Sequence, residues 1–312
     1  MTILGVDDYR YEELLDWPQL PDGLDVGEVV DVAVDTQDNV YIFCRGDHPI
    51  IIFRQDGTFL RSWGEGMFTR PHGITIDKDG VIFCVDDEGH WVGRFTAEGT
   101  LLDQIGRRNH GAIAQIGTPF NRPTKVAIAP QSGDLYIADG YGNARVHKFS
   151  PGGELLRSWG DYGCGPGQFN LPHSVCTDSE GKVYVADREN HRIQIFDDTG
   201  AYLDQWNNMH RPCGLNITDG LIYIGQLFTQ LALNADYPNI GACVSIHDLT
   251  GRQLARLGDL RYGEGHGQFI APHGIAVDSR GDIYVGEVSQ TAFGSLQNPP
   301  RKVRTFRKLV KT

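Results

Sequence analysis

Three histidines share one local setting: "RPHGITID" from Arg70, "LPHSVCTD" from Leu171 and "APHGIAVD" from Ala271. In each, a Pro-His pair stands five residues ahead of an aspartate, at His72, His173 and His273. Three neutral imidazoles with an open fourth position are the ligand set of catalytic zinc, as opposed to the closed four-ligand set of structural zinc. Manganese, cobalt or iron also suit imidazole. Any one of these histidines alone reads better as an ordinary packed side chain. Their recurrence argues for ligation. Other chemistry-bearing residues stand at the ends of strand-like runs: Arg45 in "RGDH", Tyr141 in "DGYGNARV" and Arg188 in "ADRENHRIQ". Each has a plain structural alternative. Arg45 could pair with Asp47, Tyr141 could cover a turn, and Arg188 could form a rim salt bridge.

The elements that must position these residues repeat along the chain. A unit reads as a short apolar strand ending in Asp, a Gly turn, a second strand ending in Asp, then further strands, as in Gly73–Gly106 and Val126–Gly160. The fragments "YIFC", "VIFCV", "LYIA", "VYVA", "LIYIG" and "IYVGE" are equivalent second strands, rich in β-branched and aromatic residues and bounded by turn dipeptides. Six such units must stack to bury their faces, which predicts an all-β, six-bladed β-propeller of four-stranded antiparallel blades over residues 1–312, as a single domain. The last unit supplies about three strands, so the stretch around "LLDWPQLP" is expected to close the ring; "YEELL" is the one segment that could read as a helix. Two sandwich domains are the alternative, which the uniform period disfavours. Counting five residues back from the aspartate, or from its equivalent, gives Val30, His72, Thr124, His173, Cys213 and His273. Histidine thus falls in alternate blades, at strand starts that open on one mouth.

A formal net charge of −12 over 312 residues argues against a nucleic-acid partner, which needs a basic face. The basic end "RKVRTFRKLVKT" reads as an amphipathic closing strand or a solvated tail. No run approaches the ~20 apolar residues of a membrane span, and the N-terminus has no signal-peptide pattern, so a cytoplasmic protein with no membrane partner is expected. The six cysteines form no CxxC pair, and several sit in strand-like runs, as buried free thiols do.

With the blades aligned, the chain resembles the peptidyl-α-hydroxyglycine α-amidating lyase family from about Val29 to Val288. "RGDH", "DGYGNARV", "LPHS" and "ADRENHRIQ", in that order, carry the resemblance far more specifically than the common NHL-type repeat does. It implies one zinc on His72, His173 and His273, a catalytic tyrosine at Tyr141, and active-site arginines at Arg45 and Arg188. Gly142 and Tyr184 stand where vertebrate members have disulfide cysteines. Gly274 replaces an aspartate that assists a structural calcium, and Ala271 replaces a methionine, which puts the calcium in doubt and alters the pocket beside the metal. The implied reaction splits a carbinolamide, N-acyl-α-hydroxyglycine, into an amide and glyoxylate. Tyr141 would act as base, Arg45 would tune it, and Arg188 would clamp the carboxylate of a small-molecule or short-peptide substrate. A related metal-dependent lyase or hydrolase for another small hemiaminal or amide is the nearest alternative. A non-catalytic NHL-type binding module and a gluconolactonase-like propeller follow.

Overall fold

The first strands of the six repeats, Glu28–Val34, Pro71–Ile76, Lys125–Ile128, Pro172–Thr177, Pro212–Thr218 and Pro272–Val277, each open an antiparallel sheet. The computed structural model describes residues 3–15, 17–114, 120–229, 231, 233 and 240–312. The architecture is a six-bladed β-propeller of four-stranded antiparallel blades, with a fifth strand, Ile3–Val6, on the edge of the last one.

In blades one, two, four and six the aspartate that follows the first strand, Asp35, Asp77, Asp178 or Asp278, builds the turn after it. Asp77 Oδ1 accepts from the backbone N–H of Asp79 and Val81, and Asp178 and Asp278 repeat the pattern. A short carboxylate that satisfies two turn amides makes a tight, reproducible hairpin. In three blades a tyrosine hydroxyl two residues into the next strand also donates to it: Tyr41 to Asp35, Tyr184 to Asp178 and Tyr284 to Asp278.

The chain divides into two compact units, Gly66–Pro212 and Met1–Glu65 with Cys213–Thr312. The first holds blades two, three and four, with cores built around Phe120, Phe149, Phe169 and Phe196. The second holds blades one, five and six; Trp17 packs there against Phe53, Tyr284 and Phe306.

The closing strand differs from the one expected. It is "YRYEEL", Tyr9–Leu14, which pairs antiparallel with Phe306–Lys311, and it takes in the segment that could read as a helix. Period-two burial explains the choice: Tyr11 and Glu13 point inward while Arg10 and Leu14 are exposed. Glu13 tolerates burial because Arg307, Arg304, His266 and the Gly267 amide all donate to its carboxylate. Within the following "WPQLP", Trp17 is inserted into the core, where its indole N–H donates to Gln55 O at 3.1 Å, and Gln19 makes an isolated bridge to Thr58 in place of a strand.

Candidate functional site

Each Pro-His pair is held from below by a buried carboxylate at the end of its blade's second strand. Asp86 accepts from the backbone N–H of Thr69 (2.7 Å) and Arg70 (2.8 Å), just ahead of Pro71-His72. Asp187 accepts from Asn170 N at 2.7 Å ahead of Pro172-His173, and Glu287 from Ile270 N and Ala271 N ahead of Pro272-His273. Asp86 and Asp187 are the second-strand aspartates of the sequence repeat, with glutamate in the last blade. They fix the entry of the chain into the first strand, so the next side chain has one direction.

The rings are then oriented by backbone carbonyls. His72 Nδ1 donates to Thr124 O at 2.8 Å, and His273 Nδ1 donates to Val30 O at 2.6 Å. A carbonyl can only accept, so Nδ1 carries the proton and Nε2 is left with its lone pair. Such an outer hydrogen bond is the usual way a metal-ligating imidazole is held. All three histidines are at least 95% buried. They form the set, among the described residues, that could hold a metal ion, each offering one ring nitrogen.

In the Gly66–Pro212 unit the structure brings together His72, His173, Tyr141 and Arg188. The Tyr141 hydroxyl lies 3.2 Å from His72 Nε2 and 3.3 Å from His173 Nε2, and the two imidazole centroids are 4.9 Å apart. Gly140 makes the tyrosine's position available, because a Cβ there would fall 2.1 Å from Pro172 O. Arg188 Cζ lies 5.7 Å from the Tyr141 ring centroid. Its Nε donates to Glu189 at 2.8 Å, so the rim salt bridge of the plain alternative exists as well. Burial alone would raise the Glu189 carboxyl. The hydrogen bond from Arg211 and the charges of Arg188 and Arg211 override it and hold the pKa at about 2. Close by, the His191 and His210 rings lie 4.6 Å apart, tilted by 32°, and burial together with His191 lowers His210 to about 4, so that ring stays neutral at physiological pH.

Two further arginines stand beside Tyr141 that sequence reasoning did not select. Arg122 Cζ is 4.8 Å and Arg70 Cζ 5.9 Å from the ring centroid. Both donate to the buried Asp87. The available signal was the Arg-Pro dipeptide, which precedes the first strand at Arg70, Arg122 and Arg211.

The other unit carries His273 and Arg45. Arg45 ends its strand, as expected, but pairs with Glu28 (2.9 Å) and not Asp47. Glu28 also accepts from the amide and hydroxyl of Thr291. At Gly274 a Cβ would lie 2.4 Å from both Asp31 Cα and Asp31 Oδ1. The aspartate expected there from the resemblance has no room, because Asp31 of blade one already fills the space.

Comparison with known proteins bears on this site. The NHL repeat model matches residues 120–149 and 169–196. The chain is 35% identical to NHL repeat-containing protein 3 of Homo sapiens, over 87% of this chain and 80% of that one. It is 30% identical to peptidyl-alpha-hydroxyglycine alpha-amidating lyase 1 of Drosophila melanogaster, over 75% of this chain and 45% of that one. It also spans about a third of the length of the peptidyl-glycine alpha-amidating monooxygenases it matches, at 37% of the B form from Xenopus laevis, with 30% identity over 96% of this chain. Among solved structures, a streptogramin B lyase superposes with a TM-score of 0.62 at 14% identity, covering 99% of this chain and 98% of that one. This last likeness supports the propeller fold alone.

Proposed function

We propose, for a chain that belongs to the NHL-repeat family of the peptidyl-α-hydroxyglycine α-amidating lyases and NHL repeat-containing protein 3, that it is a metal-dependent carbon–nitrogen lyase. Its substrate would be a carbinolamide of the N-acyl-α-hydroxyglycine type, and its products an amide and glyoxylate. The observation that carries this reading is the Tyr141 hydroxyl held between two imidazole Nε2 atoms, with a guanidinium beside its ring.

His72, His173 and His273 would hold the ion. The donor set fits: His72 and His273 keep the Nδ1 proton on a backbone carbonyl and direct a lone pair from Nε2. Three imidazoles suit zinc in a catalytic site, where a divalent ion acts as a Lewis acid on a substrate oxygen. Tyr141 takes the proton of the substrate hydroxyl through Oη. As that oxygen becomes the aldehyde of glyoxylate, the C–N bond breaks and the amide nitrogen receives a proton. Tyr141 is placed to return the same proton, which would leave the enzyme unchanged and needs neither added water nor redox change. Arg188 offers a planar donor pair to the substrate carboxylate and fixes the carbon next to it.

Gly274 and the Asp31 carboxylate beside it favour keeping a second reading, the same cleavage on another small hemiaminal or carbinolamide. A non-catalytic binding module is not favoured, since it has no use for a half-buried tyrosine hydroxyl set against two buried imidazoles.

The test is glyoxylate release from a panel of N-acyl-α-hydroxyglycines, with elemental analysis of wild type beside His173→Ala. The reading requires glyoxylate and a metal content that falls in the variant. Equal metal in both proteins removes the three-histidine site. Tyr141→Phe should keep the metal and lose turnover; retained activity takes the base role from Tyr141.

A further inference from the structure

Blade position singles out Asp87. Cys44, Asp86 and Asp187 pair with Val29, Pro71 and Pro172, the residues just before Val30, His72 and His173. The next residue in each blade is therefore equivalent: Arg45, Asp87 and Arg188. Where blades one and four place an arginine, blade two places a carboxylate. Asp87 is fully buried, and Arg70 Nη1 (2.5 Å) and Arg122 Nη2 (2.9 Å) both donate to it. It replaces one cation with a frame for two.

That frame leaves donors unspent. A guanidinium has five N–H groups. Arg70 uses one in a hydrogen bond and turns its Nε towards Glu88 at 3.9 Å; Arg122 uses two, the second a 3.4 Å contact to the same Glu88, whose side chain is 49% exposed. Arg122 Nε is buried with no hydrogen-bond partner among the described residues. The two side chains are 25% and 33% exposed, so their remaining N–H groups can meet a ligand. Both guanidiniums lie 4.8–5.9 Å from the Tyr141 centroid, as Arg188 does.

We propose that Arg70 and Arg122, anchored by Asp87, bind a second anionic group on the acyl side of the substrate, so that the chain selects short N-acyl-α-hydroxyglycines whose acyl group itself ends in a carboxylate. The proposal rests on the lyase reading. Two fixed forks match a carboxylate better than any neutral amide or alkyl group. Asp87 and Glu88 together balance the two positive charges, but Glu88 is half exposed and only 3.4–3.9 Å from the guanidiniums, so solvent screens it and a bound anion can compete with it. Arg188 would hold the carboxylate next to the reacting carbon, and the Arg70–Arg122 pair the distal one. The hydroxyl proton would then face Tyr141 between them. The acyl chain must be short, because all three guanidiniums surround one phenol ring.

The test compares isosteres in wild type, Arg70→Gln and Arg122→Gln. Binding of N-succinylglycine and N-butyrylglycine, which lack the reacting hydroxyl, is measured calorimetrically, and glyoxylate release from their α-hydroxylated forms is measured in parallel. Wild type should favour the succinyl compound at least tenfold in Kd and in kcat/KM, mainly through KM, and the ratio should fall below twofold in each variant. Because a ratio is read, a general loss of folded or active protein does not imitate this result. A wild-type ratio near one, or a ratio unchanged by both substitutions, overturns the proposal. Selective binding of the succinyl compound without glyoxylate from either substrate would leave the anion site standing and remove the lyase reading instead.

Discussion

Glu189→Gln is the most informative single change, because one carboxylate holds two arginines of the site unit. Glu189 accepts from Arg188 Nε at 2.8 Å, Arg211 Nη2 at 2.9 Å and Arg211 Nε at 3.1 Å. Its pKa falls from an ordinary 4.5 to about 2 despite the opposing effect of burial. At ~1.36 kcal/mol per pKa unit, that gap sets a ceiling of about 3.4 kcal/mol on the stability the ionised form contributes. The Glu189 side chain is 29% exposed, so solvent screening reduces the expected value to ~1–2 kcal/mol. The sign follows from the lowered folded pKa: the contribution is complete above pH 4.5 and is lost as pH falls towards 2, with roughly two-fifths left at pH 3. Urea denaturation of wild type and Glu189→Gln at pH 7 and pH 3 should show a gap that shrinks accordingly. KM for a carboxylate-bearing substrate should also rise in the variant, since Arg188 loses its anchor. A gap of equal size at both pH values, or none at pH 7, refutes the reasoning.

Asp187→Ala removes a fully buried carboxylate that accepts from Asn170 N, Asn190, Arg192 and Gln194. Breaking a buried pair costs ~3–5 kcal/mol, and a chain of this size loses ~1.5 °C per kcal/mol, so Tm should drop by ~5–8 °C in a thermal melt. Gly274→Ala forces a Cβ to within 2.4 Å of Asp31 Cα, and the overpacking should cost ~1–3 kcal/mol by urea titration. Of the six cysteines only Cys164 is exposed, while burial pushes the Cys44 and Cys176 thiols up, and Cys243 up to about 11. A thiol reagent should therefore titrate one group in the native protein and all six in denaturant.

The legible and illegible parts of this protein divide by the range of the interaction that sets them. The blades were legible because their signals are local: period-two strands, Gly turns, and an aspartate that satisfies turn amides two and four residues on. The strand that closes the ring was misplaced for the opposite reason. "YRYEEL" carries a glutamate on its inward face, and only the cations that meet it, some 250 to 290 residues away, make that burial tolerable. The site shows the same split. His72 and His173 can be picked out because their position within the repeat is written in the chain, and Tyr141 because "DGYGNARV" resembles the lyase motif; the structure gathers all three around one phenol oxygen. Arg70 and Arg122 stood in plain view before proline, yet nothing local marks an Arg-Pro dipeptide as part of a site. What marks it is Asp87, a carboxylate in the blade position where Arg45 and Arg188 stand, and a single sequence cannot show which neighbours that carboxylate gathers. A carboxylate where blades one and four carry an arginine becomes intelligible only when both guanidiniums are seen to close on it. Selectivity is therefore to be sought where the blades depart from one another, and chemistry where they agree.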